Sequence, residues 1–200
     1  MSQTNHAILL VPLQSDRIWL DCTSSTVPFG FVHSNIADHD ALVVTINGGK
    51  ICHIPAYNNE KYISKTQMTL SLEEDGFAKG DLQIEGSMDH AVFASYLKEQ
   101  SRDNQLKYLS AEVKMPNVRF ENIDITYTPS EQPKSLISTS FEASNITNKT
   151  GSRLFLRAYP LDKGNFRRFG SAKRIHDIEI PQQCIRNHQI KYILPEGYSA

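Results

Sequence analysis

A histidine at position 6 and an aspartate at position 21 stand on two apolar runs joined by a polar turn, in the stretch NHAILLVPLQSDRIWLDCTSSTVPFGF from Asn5 to Phe31. A carboxylate beside an imidazole accepts the proton of one ring nitrogen and fixes the tautomer. It also stabilises the imidazolium that forms when the other nitrogen takes a proton from a nucleophile. His6 and Asp21 would thus serve as base and orienter of a Cys/His/Asp system. The plainer alternative has His6 as a solvated strand-start residue and Asp21 as the cap of the turn CTSS. The nucleophile is the missing part. Alternation along a strand points Cys22 to the face opposite Asp21, and Cys52 reaches the pair only by folding back.

For the two side chains to meet, the flanking runs must form one hairpin. Ala7–Val11 and Ile18–Leu20 are apolar without alternation, which suits strands covered on both faces. With a four-residue loop from Leu13 to Asp16 and Pro12 opposite Arg17, Ile8 lies opposite Asp21 and Thr23 opposite His6. His6 and Asp21 then become diagonal neighbours on one face; a slip of one residue would separate them.

Further hairpins follow. Ala41–Ile46 and KICHI flank Asn47-Gly48-Gly49, a turn that tolerates positive φ. Between Thr66 and Met88 the alternation of Met68, Leu70 and Leu72, and then of Leu82 and Ile84, brackets a turn at Asp75-Gly76. The weakly apolar AYNNEKYISKTQ after Pro55 marks a domain boundary near residues 56–62. Asp89–Ala111 lacks Pro and Gly, begins with Asp89 as a cap, and spaces Val92, Phe93, Tyr96, Leu97, Leu106 and Leu109 helically around a polar centre from Lys98 to Gln105. This spacing predicts one surface helix packed by its ends. Strands return in VRFENIDITYT, SLISTSFEAS, RLFLRAYP, RIHDIEI and HQIKYILP, a spacing that fits an antiparallel sandwich or half-barrel.

Two hundred residues are enough for one large domain or two small ones, each with a core. A net charge of −1 gives no electrostatic reason to expect nucleic acid, and Arg167, Arg168, Lys173 and Arg174 read as a solvated loop. No apolar run is long enough for a transmembrane helix. MSQTNHAILL has neither the basic region nor the cleavage site of a secretory signal, so the chain taken alone reads as cytoplasmic.

Cys22, Cys52 and Cys184 are odd in number, without a CxxC pair, which argues against a disulfide scaffold or structural zinc. A Cys22–Cys52 bridge stays open beside buried free thiols. His33, Asp38, His39 and Asp40, with His53, are legitimate metal-ligand types, but no second motif closes a shell; a solvated loop is the reading, and neither metal nor cofactor is expected. The triplets at Asn145 and Asn148 have the glycosylation form and carry little weight.

Asn5-His6, Trp19-Leu20-Asp21, Thr23 and Pro28-Phe29-Gly30 resemble the C-terminal end of the transglutaminase-like domain of multidomain proteins of the Bacteroidetes type. DHDALVVTINGGKICHIP is similar to that family's following segment. From about Lys61 onward, including the R-x-x-D-I-x-I strand and ILPEGY, the chain resembles the uncharacterised β-rich domain that closes those proteins. The resemblance implies that His6 and Asp21 complete a Cys/His/Asp triad acting on a protein or peptide substrate. It also implies a periplasmic or exported parent, which leaves the compartment open.

The family carries its cysteine helix ahead of this segment, so the resemblance implies that this chain is a C-terminal fragment, inactive alone. The expected fold class is mainly β (α+β). Residues 1–58 would be antiparallel strands from the end of a papain-like or transglutaminase-like domain. Residues 59–200 would be an antiparallel β-sandwich-like domain with one surface helix near 89–111, truncated at its C-terminus. Strands separated from a larger sheet are expected to self-associate through exposed edges. A competing class is a non-catalytic module for peptide or glycan binding or interdomain docking, which would use aromatics such as Phe120, Tyr127, Tyr159, Phe166, Phe169 and Tyr192.

Overall fold

A computed structural model describes residues 6–162 and 184–200. Those residues are mainly β, with two helices. The first hairpin pairs β1 (Leu9–Pro12) with β2 (Arg17–Leu20), and Pro12 does lie opposite Arg17 and Leu9 opposite Leu20. Its loop is closed by the Leu13 N–H donating to the Asp16 carbonyl at 2.8 Å. The second hairpin pairs β3 (Asp40–Thr45) with β4 (Gly48–His53). Thr45 faces Gly48, so the two loop residues are Ile46 and Asn47, one position earlier than the Asn-Gly motif suggests.

The inner faces of these hairpins supply Ile8, Leu10, Trp19, Ala41, Val43 and Cys52 to a small core around Val32 and Ile54. Their outer faces are not covered: Leu9, Val11, Leu42, Val44 and Ile51 are all exposed. The expectation of strands covered on both sides is therefore met on one side only.

The larger sheet has five strands in the order β11-β5-β6-β8-β7: β5 (Ile63–Leu72), β6 (Ala78–Ser87), β7 (Arg119–Thr128), β8 (Lys134–Ala143) and β11 (Ile185–Ile193). The turn between β5 and β6 contains Gly76 at φ +88°, where the Asp75-Gly76 motif places it. Met68, Leu70, Leu72, Leu82 and Ile84 point to one face and are buried there with Ile125, Ile137 and Phe141. Burying each such side chain contributes about 1.5–3 kcal/mol. One pairing departs from an all-antiparallel reading: β11 runs parallel to β5. A short ribbon, β9 (Thr147–Thr150) with β10 (Arg153–Leu156), stands apart from this sheet. The strand expected at RIHDIEI lies outside the described residues, as do Phe166, Phe169 and the basic positions from Arg167 to Arg174.

The single helix expected over 89–111 is two: α1 (Asp89–Lys98) and α2 (Arg102–Glu112). Its polar centre is a corner rather than a solvated helix face. Ser101 caps α2 by accepting from the Asn104 amide, and the Gln105 side-chain amide donates back to the Leu97 carbonyl at 3.2 Å. Both ends of the break are satisfied locally, which removes the cost of interrupting the helix. Ala94, Leu97 and Leu109 then pack on the sheet.

Phe31 centres a third, separate cluster of buried side chains beside the start of α1. Gly30 takes φ +77° in the Pro28–Phe31 turn, a conformation that favours glycine, and swings Phe31 inward. The ring is fully buried against Tyr62, Met88 and Val92, and it stacks on Tyr57. The Tyr57 hydroxyl accepts from the Val32 amide at 3.1 Å, and the Tyr127 hydroxyl donates to the Thr26 carbonyl at 3.2 Å. The loop from Thr26 to Val32 is thereby pinned to the sheet and α1.

Candidate functional site

The register of the first hairpin puts His6 and Asp21 on the same face, and their side chains meet: His6 Nε2 lies 3.2 Å from Asp21 Oδ2. An ionised carboxylate can only accept, so Nε2 carries the proton and donates. The second oxygen, Oδ1, accepts from the Thr23 hydroxyl at 2.7 Å and from the Thr23 amide at 3.1 Å. The Asp21 side chain is 1% exposed, whereas that of His6 is 36% exposed. Burial acts to raise the Asp21 carboxyl, but the two Thr23 bonds and His6 outweigh it and hold the group below its ordinary value. Asp21 is thus an ionised, internally satisfied acceptor, and His6 has Nδ1 left for chemistry.

The pair opens into a cleft of about 430 Å³ lined also by Thr23, His33, Ser34, Asn35, Ile36 and Asp89. A second imidazole–carboxylate pair sits there. His33 Nδ1 lies 2.6 Å from Asp89 Oδ1, and the Ser34 amide donates to the other Asp89 oxygen at 3.2 Å. The hydrogen bond that His33 donates to Asp89 is the main cause that raises His33 above its ordinary value; burial opposes it, and the charges of Asp89 and Asp21 assist. Asp89 is itself desolvated, which raises it, but the bonds from His33 and Ser34 leave it lowered.

Asp89 was expected to cap the helix. Instead the cap position is Met88, which makes no side-chain cap bond, and Asp89 in the first turn spends its carboxylate on His33 and Ser34. Met88 is held at φ +56° while fully buried, with its amide donating to the Pro133 carbonyl. A non-glycine residue in that region costs on the order of 1–3 kcal/mol, offset here by the packing around it.

No cysteine lines this cleft. Cys22 is exposed, Cys52 belongs to the small core, and all three cysteines are free thiols. Cys184 lies 3.0 Å from His90 Nε2. Burial pushes that thiol up and that imidazole down, so both are neutral. The residues weighed as metal ligands have other partners: His53 bridges Asp38 and Asp40, and His39 Nδ1 faces the Ala37 carbonyl. Among the described residues no group of three or more His, Cys, Asp or Glu is placed to hold a metal ion, and no helix is long and apolar enough to cross a membrane.

The sequence pointed to His6 and Asp21, which the fold brings together. It pointed to His33 only as a metal ligand and to Asp89 only as a cap; no local signal joins two residues so far apart in the chain. Compared with protein-family models, with curated proteins and with solved structures, the chain finds no match.

Proposed function

We propose that the cleft is the acid–base half of a thiol acyl-transfer site of the transglutaminase-like kind, and that the chain is part of a larger catalytic assembly. The observation that carries this reading is the wiring of His6. Its Nε2 is tied to a buried, ionised, Thr23-braced Asp21, which leaves Nδ1 to act as a base, and His6 lines the cleft.

The sulfur would come from a cysteine-bearing helix that this chain does not supply, because Cys22, Cys52 and Cys184 all lie away from the cleft. Nδ1 of His6 takes the thiol proton while sulfur attacks an amide carbonyl. The proton passes to the departing amine as the C–N bond breaks, leaving a thioester. Water or a second amine then releases the acyl group. The uncovered apolar outer faces of the two hairpins support this reading, because strands of such composition ordinarily have a layer on each side.

The test is peptide hydrolysis and amine incorporation by the purified chain, alone and as Cys22→Ser and Cys52→Ser. The expected result is no turnover in any form. Turnover that disappears with either substitution would overturn the proposal.

A second reading, a non-catalytic binding module, is favoured by one feature of the sheet domain. A cleft of about 360 Å³ has a floor that includes Leu70, Leu72, Ile146, Phe155 and Tyr192, with Lys114 and Arg157 also lining it. Pockets of that size and mixed character take small molecules or single peptide side chains. The aromatic set gives it less support: Phe120 is buried, while Tyr127, Tyr159 and Tyr192 are half-buried.

A further inference from the structure

Two imidazoles face the same cleft, and their attachments are opposite. His6 is tied through Nε2 and presents Nδ1; His33 is tied through Nδ1 and has Nε2 left, at the far edge of the ring. The His33 ring cannot easily turn, because Phe31 packs edge-on against it at 5.4 Å and Phe31 is itself fully buried. We infer that His33, oriented by Asp89, is the oxygen-binding donor of this cleft: its Nε2–H receives the acyl carbonyl oxygen of a substrate and the negative charge that develops on it. This rests on the acyl-transfer reading for its role in turnover, but the binding of an anionic oxygen at His33 does not.

The groups facing His33 support this division of labour. Asp89 on α1 and Asp21 and His6 on the first hairpin are the titratable neighbours in the cleft. Both carboxylates already accept from imidazole and from backbone or hydroxyl donors, so an incoming oxygen meets the His33 N–H beside carboxylates that are already engaged. Tyr57 and Tyr62, behind Phe31, are pushed up by burial and stay neutral; Glu131 acts on Tyr57. Asp89 strengthens the proton on His33, whereas a base at the same place would need to lose it. A preorganised charged donor aimed at a developing oxyanion is among the largest single contributions to acyl transfer. Asp89 comes from α1, so the sheet domain supplies a positioning residue to the site and is not merely an appendage of it.

Acetate is the probe, because its oxygens carry the charge that the carbonyl oxygen gains. With the full chain, the histidine ring signals are followed by nuclear magnetic resonance as acetate is added at a series of pH values. The expected result is a saturable shift of the His33 signals, with affinity falling about tenfold for each pH unit above the His33 midpoint, because only the protonated ring binds. Below that midpoint His33→Gln should bind at least about fivefold more weakly, as loss of a charge-assisted hydrogen bond requires. Asp89→Asn should move the His33 midpoint and the acetate pH profile downward together, a joint displacement that a merely structural Asp89 would not produce. The unsubstituted chain alone decides the matter if the variants fold poorly. Acetate that leaves the His33 signals unmoved, or a binding profile that ignores the His33 midpoint, overturns the inference. Asp21→Asn separates the two proposals. If it leaves the His6 ring nitrogens unchanged, the acyl-transfer reading fails while acetate binding at His33 stands.

Discussion

Asp21 concentrates the chemistry of the site in one side chain. It accepts from His6, the Thr23 hydroxyl and the Thr23 amide while almost fully buried. Replacing it with alanine leaves those donors without their acceptor, and Asp21→Ala should lower stability by about 2 kcal/mol, read as a fall in the urea midpoint at unchanged slope. Asparagine is the sharper substitution. Its carbonyl can still serve Thr23, but its amide then faces His6 as a donor, so Nε2 becomes an acceptor and the neutral ring carries its proton on Nδ1. Nitrogen-15 shifts of the His6 ring should invert between the parent and Asp21→Asn. The Asp21 carboxyl is held below its ordinary value, so its contribution to stability is present above the unfolded-state pKa and is lost as pH falls through the folded one.

Elements decide whether the site is assembled at all. The Thr26–Val32 loop and the start of α1 meet through Phe31 and through His33–Asp89, and the second contact responds to pH. His33 is raised in the folded chain, so its contribution is full below the unfolded value and vanishes as pH rises through the folded one. Asp89 is lowered, so its contribution disappears as pH falls through its own folded value. Docking of the loop should therefore be strongest between those two midpoints. Amide exchange in residues 31–36, corrected for the intrinsic rate, should show its greatest protection there and lose it on the alkaline side; His33→Gln should flatten the dependence on that side.

The sheet beneath has its own tight point. A Cβ on Gly80 would stand 2.2 Å from the Thr69 carbonyl oxygen and 2.6 Å from Phe141 Cζ. Backbone on the neighbouring strand cannot yield that much, and Gly80→Ala should cost more than about 2 kcal/mol in chemical denaturation.

At the scale of the whole molecule the two parts are unequally finished. The five-stranded sheet buries one face under its helices, whereas the two hairpins leave Val44 78% exposed and Ile46 fully exposed. Exposed apolar surface of this kind is what a further layer or a second chain would cover. Hydrogen exchange should be fast in β1–β4 and slow in β5, β6 and β8 of the monomer. Leu42→Lys with Val44→Lys should reduce concentration-dependent association in sedimentation without lowering the unfolding midpoint. Slow exchange throughout residues 7–20 in a proven monomer would contradict this picture.

The amino-acid sequence by itself determined the first hairpin, its register and hence the meeting of His6 with Asp21, because a four-residue loop and the pairing next to it are local and pin every later residue. It also contained the break between α1 and α2, in Ser101 and Gln105, but a polar run suits a solvated helix face equally well until its capping bonds are seen. Tertiary structure alone decided that His33 belongs with Asp89 and that both belong to the cleft. Fifty-six positions separate them, and what brings them together is a buried phenylalanine packed on Met88 and Val92 beside Asp89. Such a meeting depends on the packing of elements against one another, to which neither local periodicity nor residue spacing responds.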